Sequence, residues 1–593
     1  MITRRISSAS RLAPLFAWGV MVLVGIAAPS LLAQGWTTAP ADAPDPGGFR
    51  ATPPVREARI ETTQPDRLTP PYHSGWPQTM GTHPNFKPVG VVLADVDADG
   101  ALEVLAGSTD NLFRVWRHDG TLLPGWPINV GGQVQSKAAA ADLDGDGDLE
   151  ILISVKSGPL RIYHHTGTPL AGWPQTSGVT YGFISPTVYD LDGDDTPEVL
   201  IGGGTMIRAW RADGSPLFAT NVGANITGTL AVGDITGDQA PEILAVTLSG
   251  TLCALDTHGV SLPGWPANFG LSTSWAAPSI GDIDADGRNE VLVVGYQFMS
   301  YTRIYAYRWT PTLPEIVPGF PITYPSAQTY SCPVIGDADG DHDLEIWNAG
   351  KINGPAFYAW DHTGALLPGW PVTADPNMEG SAILADLDGL PGIEAAVGDN
   401  WNPGVIFGHN LDGTVATNFP LPKPGASGPN SPEVGDVDGD GLLEMGFTMM
   451  TGDVALWDFP VAYADARVEW GALFHDDWNT NQYGFVVPGG GTGIDAAPDD
   501  LVSGPLRLFP NPTFRSVGIP LGLDHPEQAR LGVYDLQGRE VVRIFSGSLI
   551  PGQRDFIWDG SDAAGRLVAA GVYRVRYEGT RSGVRVGRVV VLR

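Results

Sequence analysis

One acidic nonapeptide is written eight times between residues 95 and 444, and its spacing limits what this 593-residue chain can fold into. In the first copy Asp95, Asp97, Asp99 and Glu103 stand at positions 1, 3, 5 and 9, with Gly100 at the turn. The second places Asp142, Asp144, Asp146 and Glu150 in the same frame, with Gly147 at the turn. Six more copies start at Asp190, Asp234, Asp282, Asp337, Asp386 and Asp436, so successive starts lie 44 to 55 residues apart. A fixed period of that length belongs to a solenoid, a propeller or an array of modules.

The filling of each period chooses among them. After each loop comes a short apolar run, such as Glu103–Gly107 or Glu150–Ile153. An alternating run follows and closes on Asp-Gly or Thr-Gly, as in Leu112–Gly120 and Ile207–Gly214, which reads as a strand entering a hairpin. Then come Pro124-Gly125-Trp126-Pro127 or its variants, and a fourth apolar stretch such as Ala138–Ala141. Four short strands per unit make a propeller blade. Glycine (77) and proline (51) are abundant, as a turn-dense all-β chain requires, and 18 Trp, 20 Phe and 16 Tyr separate this chain from disordered sequences.

Carboxylates at positions 1, 3, 5 and 9 of a tight loop form a cage of hard oxygens, the donor set of calcium. The candidate ligands are Asp95, Asp97, Asp99 and Glu103; Asp142, Asp144, Asp146 and Glu150; Asp190, Asp192, Asp194 and Glu198; Asp234, Asp238 and Glu242; Asp282, Asp284, Asp286 and Glu290; Asp337, Asp339, Asp341 and Glu345; Asp386, Asp388 and Glu394; and Asp436, Asp438, Asp440 and Glu444. Thirty of the chain's 66 acidic residues are in this set, and the formal net charge is −32. Up to eight Ca²⁺ would offset about half of it. Charge of this sign excludes a nucleic-acid partner. The first, second, fifth and eighth loops are complete. Asp195, His342 and Gln239 stand where the third, sixth and fourth loops need the turn glycine, and Thr236 holds position 3 of the fourth. The seventh has Leu390 at position 5 and is expected to bind most weakly.

These units resemble FG-GAP/VCBS repeats, the units of the integrin α-subunit propeller and of secreted bacterial propellers. The resemblance covers residues 72–484 and implies Ca²⁺ held by positions 1, 3, 5 and 9 with the backbone carbonyl of position 7. It also implies a closed all-β propeller of four-stranded blades. Eight blades match the eight loops; seven remain the alternative, with terminal half-units sharing one blade.

Residues 1–33 read as a secretory signal peptide, with Arg4, Arg5 and Arg11 ahead of an apolar run and Ala33 at the cleavage site; an uncleaved anchor is the alternative. Residues 34–71 form a Pro-rich spacer, and the glycine cluster within 485–504 a linker. Residues 505–593 alternate strands and turns in the manner of a small β-sandwich. Leu508–Pro512, Leu531–Arg539, Asp555–Gly560 and Ala570–Tyr573 resemble FlgD/Vpr Ig-like domains and the sorting domains of type IX secretion cargo. The first resemblance implies a spacer, the second surface attachment.

Catalytic motifs are absent from the sequence: there is no Gly-x-Ser-x-Gly, His-Glu-x-x-His or P-loop. His118, His258 and His362 sit beside hairpin glycines. The longest repeat carries Tyr296, Phe298, Tyr301, Tyr305, Tyr307 and Trp309, which read either as a sugar-stacking surface or as strand packing. The expectation is a secreted or bacterial cell-surface module, monomeric and without a membrane span after signal cleavage. It would bind an extracellular protein or glycan; a polysaccharide-lyase-like enzyme is the alternative.

Overall fold

The computed structural model describes residues 69–488 and 517–591, apart from 81–89, 180–182, 195, 274, 352–356, 374–377, 391, 401–403, 426–429, 464–466 and 486 in the first stretch and 524–526, 535–538, 550–551, 559, 562, 564–565, 570 and 580–582 in the second. The signal peptide, most of the spacer, the greater part of the glycine-rich linker (489–504) and Leu508–Pro512 lie outside these residues.

Every acidic loop joins a three-residue inner strand to a longer second strand that begins at or just before the position-nine glutamate, so the apolar run predicted after each loop becomes the second strand of an antiparallel sheet. Val92–Ala94, Glu103–Gly107, Leu112–Trp116 and Ile128–Asn129 form the first such sheet. Seven more follow in chain order, with inner strands Ala139–Ala141, Thr187–Tyr189, Ala231–Gly233, Ser279–Gly281, Val334–Gly336, Ile383–Ala385 and Glu433–Gly435. These inner strands are buried along their length, apart from half-buried Tyr189. Residues buried on both faces read as continuous apolar runs, as Val92–Ala94, Ala139–Ala141 and Ile383–Ala385 do.

Strand number varies around the array. In the second and sixth sheets the outermost strand shrinks to single bridges, Leu160–Gln175 and Phe357–Val372, close after Trp173-Pro174 and Trp370-Pro371, where proline has no N–H for a longer ladder. The eighth sheet joins the two ends of the array: Gln78–Thr79 pairs with Asp453–Ala462. Sister turns tie neighbouring sheets together. Trp76, Trp126, Trp173 and Trp370 each donate their indole N–H to a carbonyl of the next sheet, His118, His165, Ala212 and Leu411, at 2.6–2.8 Å. Gly125 beside one of these tryptophans has φ +99°, and a Cβ there would collide with the Thr166 carbonyl.

The closing segment after the eighth sheet adds one inner strand, Val468–Trp470, antiparallel to Ile383–Ala385 of the seventh sheet. It runs past the inner strands of six sheets, whose amides donate to its carbonyls: Asp386 to Arg467, Val434 to Gly471, Ala140 to Asp477, Val188 to Trp478, Val232 to Thr480 and Ile280 to Asn481, at 2.9–3.2 Å. His475, Asp476, Asp477, Asn479, Thr480 and Asn481 are buried there. Buried charge needs a partner. Lys137, itself fully buried, donates to the Asp476 carbonyl at 2.9 Å and stands 3.4 Å from Glu433 Oε2.

Residues 517–591 form a four-stranded sheet (Glu540–Leu549, Glu527–Tyr534, Gly571–Gly579, Gly583–Val591) and a two-stranded one (Val517–Leu523 with Gly552–Trp558). Val517, Ile519, Leu531, Val533, Trp558, Val575, Tyr577 and Val589 share their core. Among the described residues, no helix is long and apolar enough to cross a membrane.

Candidate metal centre

Each acidic loop folds on itself through its own carboxylates. The position-1 aspartate accepts backbone amides from the turn: Asp95 from Asp99 and Gly100 at 3.0 Å, Asp282 from Asp286 and Gly287 at 3.0 and 2.8 Å, and Asp436 from Gly441 at 3.0 Å. The position-9 glutamate reaches back from the second strand and accepts the amide of position 2 in all eight loops, at 2.6–3.2 Å. None of these eight glutamates is more than 3% exposed. The missing turn glycines leave left-handed backbone on other residues, with φ +81° at His342 and +73° at Gln239; residue 195 lies outside the described residues.

The arrangement brings the predicted ligands together. Oxygens of Asp95, Asp97 and Glu103 lie within 4.8 Å of one another, as do those of Asp142, Asp144 and Asp146. Asp97 Oδ1, Asp284 Oδ1 and Asp436 Oδ1 are buried and accept no hydrogen bond. Buried acceptors without donors are costly, and a divalent cation is the group that such an all-oxygen set fits. Without it the carboxyls of the glutamates are pushed towards their protonated form. Burial, the leading cause throughout, together with neighbouring loop aspartates, pushes Glu150, Glu198, Glu242 and Glu290 up to about 7 and Glu103, Glu345, Glu394 and Glu444 up to about 8.

The loops differ in a way their own nine residues do not reveal. Across the strand pair, three position-9 glutamates face a residue of the third strand: Arg308 opposite Glu290, Asn410 opposite Glu394, and Asp458 opposite Glu444. Arg308 lies on three carboxylates of the fifth loop, at 2.6 Å from Glu290, 2.8 Å from Asp284 and 3.3 Å from Asp286. The fifth loop, complete by its motif, therefore already holds a cation. His164 bonds Glu150 at 2.9 Å in the second loop, and Arg467 stands 3.3 Å from Asp337 in the sixth. In the seventh, Asp388 accepts the Thr417 amide at 3.2 Å, while Leu390 is exposed in place of a carboxylate.

Beside the fourth loop lies a cavity of about 310 Å³ lined by Thr236, Asp238, Glu242, Asp256, Thr257, Leu262 and Trp309, among others. The aromatic residues of the longest repeat mostly pack: Tyr296, Tyr305 and Tyr307 are buried and Phe298 is exposed. Cys253 and Cys332 are buried free thiols.

Residues 95–153 and 142–201 match the FG-GAP-like repeat, and residues 516–583 match the FlgD Ig-like domain. No curated protein matches. Solved structures with a likeness include BamB from Moraxella catarrhalis (14% identity, 65% of this chain and 100% of that one, TM-score 0.41). Others are the V. cholerae biofilm matrix protein Bap1 (13%, 89% and 92%, TM-score 0.34) and PorZ of Porphyromonas gingivalis (12%, 83% and 74%, TM-score 0.32). The chain is a β-propeller protein carrying FG-GAP-like repeats, with an FlgD Ig-like domain near its C-terminus.

Proposed function

We propose that this chain is an exported, calcium-stabilised propeller of eight blades that binds a ligand at the cell surface. The observation that carries this reading is the eightfold recurrence of one cage, in which a buried glutamate closes a loop of aspartates whose inner oxygens include acceptors without donors. Weak sites of this kind fill where calcium is plentiful, outside the cell. Calcium would be held by the residues at positions 1, 3, 5 and 9, and it supplies charge neutralisation and a fixed loop shape. The protein acts as a monomer, and the Ig-like domain spaces it from the surface or sorts it there.

The lyase alternative needs an open pocket on the propeller axis, with titratable groups converging on it. Here the segment 467–483 lies along the inner strands and accepts their amides on its carbonyls, which favours binding over catalysis. Of the two ligand classes, the cavity beside the fourth loop favours a glycan. Trp309 brings an indole with a buried N–H that has no hydrogen-bond partner, while Asp256, outside the calcium cage, offers a carboxylate to hydroxyls. An array of glycans and extracellular proteins, probed in millimolar calcium with wild type and Trp309→Ala, tests this. Glycan binding lost in the variant supports it; glycan binding unaffected by the variant, or binding of proteins only, counts against it.

A further inference from the structure

The place where the two ends of the propeller meet carries two imidazoles that no calcium loop uses. In seven of the eight sheets the chain makes one and the same turn after the third strand. A residue donates its amide to that strand, and its carbonyl then accepts the amide of a Trp or Phe three residues on. Leu123, Leu170, Leu262, Val317, Leu367 and Ala416 hold this position in six sheets, and His73 holds it in the eighth. Leu123, Leu170, Val317 and Ala416 are buried, and so is His73, which is 7% exposed. An imidazole in an aliphatic slot has to be satisfied by polar neighbours.

Those neighbours come from three parts of the chain. His73 Nδ1 donates to Asp458 Oδ1 at 2.7 Å, which leaves Nε2 as the nitrogen with a lone pair. The His118 ring, from the first sheet, lies 6.3 Å from the His73 ring at 69°. Its own backbone is held in place, because the His118 carbonyl accepts the Trp76 indole N–H at 2.6 Å. Asp438, from the eighth acidic loop, completes the group: nitrogens of His73 and His118 and an oxygen of Asp438 lie within 4.8 Å of one another. His73, Glu444 and Asp458 are equally close.

We infer that His73, His118 and Asp438 form a site for a borderline divalent cation of the zinc class, closing the seam between the N-terminal segment, the first sheet and the last. Two imidazoles and one carboxylate are the donors of zinc, whereas the loops, being all oxygen, suit calcium. A carboxylate holding the far nitrogen of a ligating histidine is the usual support of such a site, and Asp458 stands there. The fourth position is left for water. The site goes beyond the calcium reading but shares Asp438 with the eighth loop, so the two ions are counted separately.

The test uses the full chain, first stripped with EDTA and then reloaded with millimolar calcium. Zinc is titrated by calorimetry, and cobalt by its visible absorption, which reports nitrogen ligation. Wild type should take up one zinc and one equivalent of visibly absorbing cobalt with calcium present. His73→Leu, which restores the residue of four sister turns, should stay folded and lose both signals. His118→Ala should lose them too, and Asp458→Asn should weaken zinc by about 10–100-fold. The exposed His258, changed to Ala, should have no effect. No uptake by wild type, or uptake unchanged in His73→Leu and His118→Ala, overturns the proposal. Calcium content measured on the same samples reports on the loops independently.

Discussion

Arg308 Nε donates to Glu290 Oε1 at 2.6 Å, directly across the strand pair in which the two residues face each other. With Asp284 and Asp286 also within 3.3 Å of the guanidinium, the arginine stands where the fifth loop would hold its ion. An internal cation and Ca²⁺ compete for the same oxygens. Arg308→Ala should therefore raise bound calcium by about one ion per chain, read by elemental analysis after dialysis against millimolar calcium. An unchanged count would mean that the guanidinium moves aside and the fifth loop is filled in wild type.

The second and seventh loops should respond unequally to loss of an aspartate. Asp146 is one of three aspartates that cluster in the second loop. Asp388 already accepts the Thr417 amide in a loop without a position-5 carboxylate. Asp146→Ala should lower bound calcium by about one ion, and Asp388→Ala should change it little. Equal losses would refute this ranking.

Lys137 is fully buried beside Glu433, whose carboxyl burial pushes up while the lysine pulls it down. Removing one partner of a buried pair strands the other charge. Lys137→Met should destabilise the propeller by about 3–5 kcal/mol in chemical denaturation with calcium present. A cost below ~1 kcal/mol would show that Glu433 is held without it.

The raised glutamates set a pH dependence whose sign depends on calcium. In the metal-free chain they bind protons in the folded state up to about 7 or 8 but in the unfolded state only near 4.5, so the folded state holds more protons between these values. Stability without metal should thus be greatest near the lower value and fall as pH rises towards 8. Calcium requires the deprotonated form, so the gain on adding it should grow over the same range. Melting curves at pH 5.5, 6.5 and 7.5, with EDTA and with calcium, check both slopes. Metal-free stability that rises with pH would contradict the burial of these groups.

The loops, the inner strands and the hairpin turns were all legible in the sequence, because each is local and recurs with the period. The tyrosines at 305 and 307 were legible as packing, since strand alternation points them at neighbouring sheets. What stayed hidden depends on register or on chain closure. Arg308 lies 18 residues beyond Glu290 and meets it only because the second and third strands pair antiparallel. Lys137 looks like a surface residue next to four alanines until segment 467–483 is laid against the inner strands. His73 carries no signal of its own until its turn is superposed on the leucine turns of sister sheets.

Thermal melting of the whole chain with EDTA and with millimolar calcium tests the central claim most directly. Eight loops gather 30 carboxylates at cage positions. Each filled site adds about 2.7 kcal/mol at a hundredfold excess over its Kd. The account predicts a melting temperature well above the EDTA value once calcium is restored, with magnesium giving much less. The same melting temperature in EDTA and calcium would contradict it.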